Sequence, residues 1–321
     1  MSKGLAAFFG TLALLALLRV GMANWLVPDS LRLPLSLLVT IAFIALPILA
    51  LFYAGSHRWT VGLGIAFVLI GAAIQFGLPL VFPAGKGSGA IWVDAISQQG
   101  LPIWTVGLGA LLALLLKDRN LLIPVSIFLA LFDIFLVFTP VGFVQTLMKN
   151  HPKLLPAMAH KIPEIATSPT QTGAPVGTFA HIGPADFLFM GMFFVAIFKF
   201  GMPGGRTLKW LLVALAVYLP LAFLVGPVPL LVPIGLAVLF ANWKEFNLNK
   251  EEKVSTAVVA VIGLAIIAYS ATRPRPVPPT EPSPVEGGQA PGGLANSPSP
   301  TSPDRLPSES PAVPKSTPGR R

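Results

Sequence analysis

Residues 121–143 read LLIPVSIFLALFDIFLVFTPVGF, an apolar run with one charge, Asp133, near its middle. About twenty apolar residues cross a hydrocarbon core of ~30 Å as a helix. A carboxylate inside such a helix costs on the order of 2.5–3.5 kcal/mol, so its presence points to function. Comparable runs flank this one at about 4–27, 34–54, 60–82, 101–116, 177–200, 207–226, 228–243 and 254–271. The expected fold is therefore all-α, a polytopic membrane bundle of about nine transmembrane helices.

Composition agrees. The chain is 54% hydrophobic and 11% charged, with a mean hydropathy of +0.75. No water-soluble core of 321 residues would hide so many apolar runs. The net charge of +9 does not indicate nucleic acid, because the basic residues are scattered and form no stripe interleaved with aromatics. With no cysteine, disulfides, thiolate metal sites and cysteine nucleophiles are excluded.

Tryptophans mark the span ends. Trp25, Trp59, Trp104, Trp210 and Trp243 fall at proposed boundaries, and only Trp92 falls in a loop, in a half-apolar stretch (91–96) expected along the membrane surface. With the N-terminus in the cytoplasm, ten Lys and Arg face inward, from Lys3 and Arg58 to Lys250 and Lys253. Five face outward: Arg32, Lys86, Lys149, Lys153 and Lys161. The positive-inside bias thus favours a cytoplasmic N-terminus and puts 144–176 outside. The first run continues through Trp25, Leu26 and Val27, longer than a signal peptide needs, and reads as an uncleaved anchor. From Thr272 the composition changes: fourteen of the 33 prolines lie in the last fifty residues, the mark of a disordered tail. Four regions follow: N-terminal helices at 1–120, a core at 121–243, one further helix at 244–271 and the Pro-rich tail at 272–321.

Of thirteen acidic residues only Asp133 and Asp186 sit inside apolar runs, on consecutive spans. Two carboxylates held together share a proton, so that one accepts a proton from water while the other polarises a carbonyl. That is acid–base hydrolysis without a covalent intermediate. The same residues also suit proton-coupled transport.

Three motifs accompany the aspartates in order: Phe132-Asp133, Gly183-Pro184-Ala185-Asp186, and Pro227-Val228-Pro229-Leu230. This series resembles the presenilin and signal peptide peptidase family of intramembrane aspartyl proteases, whose members carry Tyr-Asp, Gly-x-Gly-Asp and Pro-Ala-Leu. Phe135, Phe138, Gly191 and Pro233 extend the similarity, which covers about 121–243. Phe132 stands for tyrosine, Ala185 for the second glycine and Pro-Val-Pro for Pro-Ala-Leu. Four helices precede the first aspartate where the family has five, and the span at 254–271 is an addition. The resemblance implies a presenilin-like bundle with Asp133 and Asp186 catalytic, no metal and no cofactor. It implies substrate binding by Phe132, Gly183, Pro184, Ala185, Pro227, Val228, Pro229 and Leu230, whose extended backbone would receive an unwound helix. Pro140 and Gly142 would let the Asp133 helix bend. Partners would be the lipid bilayer and transmembrane or signal-peptide-like substrates with cytoplasmic N-termini. The place would be a prokaryotic plasma membrane, this being a divergent, prokaryotic-looking member. An inactive helix-binding homologue and a proton-coupled transporter are the alternative functions.

Other polar residues have plainer expectations. His151, His160 and His181 match no zinc spacing and read as solvated loop residues, with His181 near enough to Asp186 to influence it. Arg19 reads as snorkelling to an interface rather than pairing with a buried aspartate, and Gln75 as an interhelical hydrogen-bonding residue. Gly62 with Gly64 and Gly107 with Gly109 read as close-packing sites.

Overall fold

Several helices begin where a side chain or a proline relieves the free amides. In the computed structural model, which describes residues 2–23, 27–82, 87–138, 158–163, 178–225 and 229–272, α1 (Lys3–Met22) starts at Ser2, whose hydroxyl accepts the Leu5 amide. Helix α2 (Asp29–Gly55) follows Pro28, and α3 starts at Val61 under the Thr60 hydroxyl. Then come α4 (Ser88–Leu115), α5 (Leu122–Phe138), α6 (Pro184–Lys199), α7 (Gly204–Val225), α8 (Leu231–Asn242) and α9 (Lys250–Ala271). Helix α3 runs from Val61 to Val81 through a π-turn at Ala73–Gly77. Pro79 explains that turn, since it lacks an amide and its ring crowds the carbonyl four residues back, that of Gln75.

The described residues thus form nine helices, in the order read from the sequence. Six are long and apolar enough to cross a membrane: α1, the part of α2 from Pro34, α3, α4, α5 with its leading turn, and α9. The chain is a multi-pass integral membrane protein. Large apolar side chains that would be a liability in water, such as Leu69, Leu80, Val258 and Val261, point outward where lipid would cover them. Residues 273–321, with the Pro-rich tail, lie outside the described residues, as do Pro140, Gly142, His151, Pro227 and Val228.

Two sequence expectations need correction. Residues 91–96 do not lie along a surface; they are early turns of α4, where Ile91 and Ala95 are buried. The span expected from 177 begins only at Pro184. Before it Thr178–Ile182 is a strand, β2, paired antiparallel with β1 (His160–Pro163). The alternating, β-branched and aromatic character of Thr-Phe-Ala-His-Ile favours the strand, and Gly183-Pro184 ends it. Among the described residues this hairpin is the one departure from an all-helical fold.

Helix α4 is the hub, packing on α1, α3 and α6, while α8 touches α5, α6 and α7, and α9 lies along α5. Phe8, Leu51, Val106, Phe194 and Ile197 are fully buried between these helices. Helices α3 and α4 meet backbone to backbone: a Cβ on Gly100 would come within 2.5 Å of the Gly71 carbonyl oxygen, and one on Gly107 within 2.8 Å of the Gly64 oxygen. Gly109 does the same for α6, at 2.5 Å from the Leu188 oxygen. Gly62, expected in the same role, has nothing within 4 Å of its Cβ position. Thermal unfolding in detergent should separate these sites. Gly100→Ala forces α3 from α4 and should lose about 1–3 kcal/mol. Gly62→Ala should be neutral or stabilising by roughly 0.5–1 kcal/mol.

Candidate active site

Asp133 lies in the last third of α5, on the face turned to α8. The helices approach closely there, because Gly235 of α8 would bring a Cβ within 3.1 Å of the Ser126 carbonyl oxygen, two turns before Asp133. Helix α8 begins at Leu231, and the Asp133 carboxylate accepts the Leu231 amide at 2.8 Å. A carboxylate from α5 thus meets an amide at the start of α8, where the chain leaves the Pro229-Leu230 segment.

Asp186 is the third residue of α6. Gly183 is extended, Pro184 occupies the first helical position where no amide is needed, and the Asp186 carboxylate reaches back to the Gly183 amide at 3.2 Å. A Cβ on Gly183 would sit 3.3 Å from that carboxylate oxygen, so glycine leaves room for the turn. Both aspartates are partly accessible. The Asp133 carboxylate lies near enough to act electrostatically on Asp186 and on the Tyr218 phenol.

Tyr218, on α7, escaped the sequence reading. Its hydroxyl donates to the Pro229 carbonyl at 2.8 Å, on the segment whose next amide but one bonds Asp133. The signal was a tyrosine inside an apolar run, in a chain with only three. Pro229 is buried and Leu230 half-buried at the cap of α8. Ala185 is exposed beside Asp186. Phe132 turns away from Asp133, as neighbours 100° apart on a helix must. It stacks on Phe128 with centroids 5.7 Å apart and lines an apolar groove of about 480 Å³ between α5 and α9.

The histidines also depart from expectation. His160 is no solvated residue: it is fully buried on β1, edge-on to Phe187 at 5.4 Å. Burial, with help from the Arg19 charge, pushes it down to about 3. His181 is exposed and opposite Lys161 in the ladder. Among the described residues no three His, Asp or Glu side chains gather as metal ligands.

Two carboxylates near one another, each with one bond to an amide, retain lone pairs for further work. They can divide one proton and serve as acid and base toward water and a carbonyl. No protein-family model, curated protein or solved structure matches the chain.

Two outcomes test this geometry. Asparagine accepts an amide hydrogen bond as aspartate does, so Asp133→Asn should keep the cap on α8 while Asp133→Ala should lose about 1 kcal/mol in detergent unfolding. An unfolded histidine takes a proton near pH 6.5, whereas folded His160 resists until about 3. The unfolded state then binds more protons, so stability should fall as pH drops below 6.5, by up to about 1.4 kcal/mol per unit. His160→Phe should flatten that dependence between pH ~6.5 and ~5.

Proposed function

We propose that this chain is an intramembrane aspartyl protease that hydrolyses peptide bonds within transmembrane or signal-peptide-like helices, with Asp133 and Asp186 as its acid–base pair. The observation that carries the reading is the 2.8 Å bond from the Leu231 amide to Asp133. It ties Asp133 to the residue that follows the Pro-Val-Pro-Leu motif, and the Asp133 charge acts on Asp186 of the remaining motif.

In this reading one carboxylate, ionised, takes a proton from water while the other, neutral, polarises the scissile carbonyl. The substrate helix must unwind first, and its freed backbone groups need partners because lipid offers none. Gly183, Pro184, Ala185, Pro229 and Leu230 lie beside the pair, with Gly183 held extended. Pro227 and Val228 complete the element in sequence. Phe132 faces the groove on the far side of α5, where an approaching helix would meet it. The multi-pass protein would sit in a prokaryotic plasma membrane with its N-terminus in the cytoplasm, and all nine helices would lie within the bilayer.

The test uses purified protein in liposomes with a labelled signal-peptide-like transmembrane peptide. Cleavage inside the apolar segment, lost in both Asp133→Asn and Asp186→Asn, is expected. Tyr218→Phe removes the hydroxyl that holds the Pro229 carbonyl, a loss of about 1 kcal/mol, and should lower kcat roughly fivefold. Peptides bound but never cut would indicate a helix-binding protein without catalysis. Neither binding nor cutting, with ion-dependent uptake lost in Asp133→Asn, would indicate a transporter.

A further inference from the structure

Arg19 does not snorkel. It is 1% exposed in the last turn of α1, with its guanidinium 5.6 Å from the Phe43 ring centroid. One nitrogen donates to Asp94 of α4 at 3.2 Å, and another to the Lys161 carbonyl on β1. One turn after Asp94, the Gln98 side-chain oxygen accepts the Lys161 amide at 3.0 Å. Gln75, in the π-turn of α3, donates to the Met158 carbonyl at 3.3 Å and accepts from the Trp104 indole at 2.6 Å. Side chains from three membrane helices therefore converge on the backbone of residues 158–161. The Lys161 amide and carbonyl are both taken by side chains on the edge of β1 away from β2.

The hairpin carries this hold onward. Lys161 lies opposite His181 and His160 opposite Ile182, and the residue after Ile182 is Gly183, whose amide bonds Asp186. His160 also packs edge-on to Phe187, next to Asp186. Three residues, Gly183 to Ala185, thus separate the end of β2 from Asp186.

We propose that Arg19, Asp94 and Gln98 are positioning residues for Asp186: they clamp β1 to the bundle, and β2 transmits that position to the Gly183–Asp186 turn. The inference rests on the protease reading for its catalytic consequence, though not for the mechanical one. A purely structural ion pair would be dispensable once both charges are removed together; the one charge left behind, the Lys161 ammonium 3.9 Å from Asp94, is about a third exposed and can turn to solvent. A clamp would not be dispensable, because the Lys161 carbonyl still loses its donor.

The cysteine-free chain suits a site-directed label. A nitroxide on His181→Cys, in full-length protein in liposomes, reports the motion of β2. Three backgrounds are compared: unmodified, Gln98→Leu, and the double change Arg19→Met with Asp94→Leu. Asp94→Glu, which keeps the charge, serves as the conservative control. The double change should lower the thermal midpoint by no more than Gln98→Leu does, since each leaves one Lys161 backbone group without its partner. Its label should nevertheless become mobile, as should that of Gln98→Leu, while Asp94→Glu stays ordered. On the cleavable peptide, without the label, kcat should fall by roughly 10- to 100-fold in the clamp variants with KM unchanged, and recover in Asp94→Glu. An immobile label in both clamp variants would overturn the proposal, as would mobility that simply tracks a lowered thermal midpoint. A mobile label in clamp variants, with no peptide cut by the unmodified protein, would keep the clamp and remove the protease.

Discussion

An amide or carbonyl inside a bilayer has no water to turn to, so every break in a helix must be met by a partner from the protein. The polar chemistry of this molecule follows that constraint. Four places where the backbone leaves or enters an α-helix show it. These are the π-turn of α3, the β1–β2 hairpin, the start of α6 and the start of α8. Polar side chains meet three of them directly: Arg19 and Gln98 at the hairpin, Asp186 at the start of α6 and Asp133 at the start of α8, while Gln75, in the π-turn, serves the Met158 carbonyl ahead of β1. Other helix ends use ordinary polar devices. Lys199 caps the α4 carbonyls, and Asn120 ties α5 to Glu252 and Asn247 at the foot of α9.

For the aspartates this creates a double duty. A carboxylate that accepts an amide is doing what an N-cap does, and that alone would account for one such residue at each helix start. It does not account for bringing the two charges within electrostatic reach of each other. Serine or asparagine would cap as well without repulsion, and at far lower cost in a membrane. Two ionisable caps where neutral ones would serve is a costly choice for a scaffold and a useful one for an acid–base pair.

Period and hydropathy made the helices legible, because a twenty-residue apolar run has one solution in lipid. Asp133 and Asp186 were legible for the same reason in reverse, as charges where none belongs. The hairpin was not. Residues 178–182 run without a break into the apolar helix after them, and pairing with 160–163 fixes them as a strand. Arg19 was misread along with it. Snorkelling is the cheaper fate of an arginine near a helix end, unless a carboxylate and a bare carbonyl lie within reach. Here Asp94 sits 75 positions along the chain and Lys161 142 positions along. Gly62 failed as a packing site because spacing alone cannot say which face of a helix meets a neighbour.

The departures from the resembled motifs look different once placed in three dimensions. Phe132 lacks a hydroxyl, yet its ring points into the α5–α9 groove and away from α8. A hydroxyl at that position would not reach the Asp133 carboxylate without turning the helix. The phenol near Asp133 comes instead from Tyr218, on a different helix, and it holds the Pro229 carbonyl rather than the aspartate itself. Its effect on Asp133 is therefore indirect, through the segment that delivers the Leu231 amide. The substitution at Phe132 leaves intact a chain of four groups, from phenol to carbonyl to amide to carboxylate. That chain ties α7 and α8 to the same catalytic candidate.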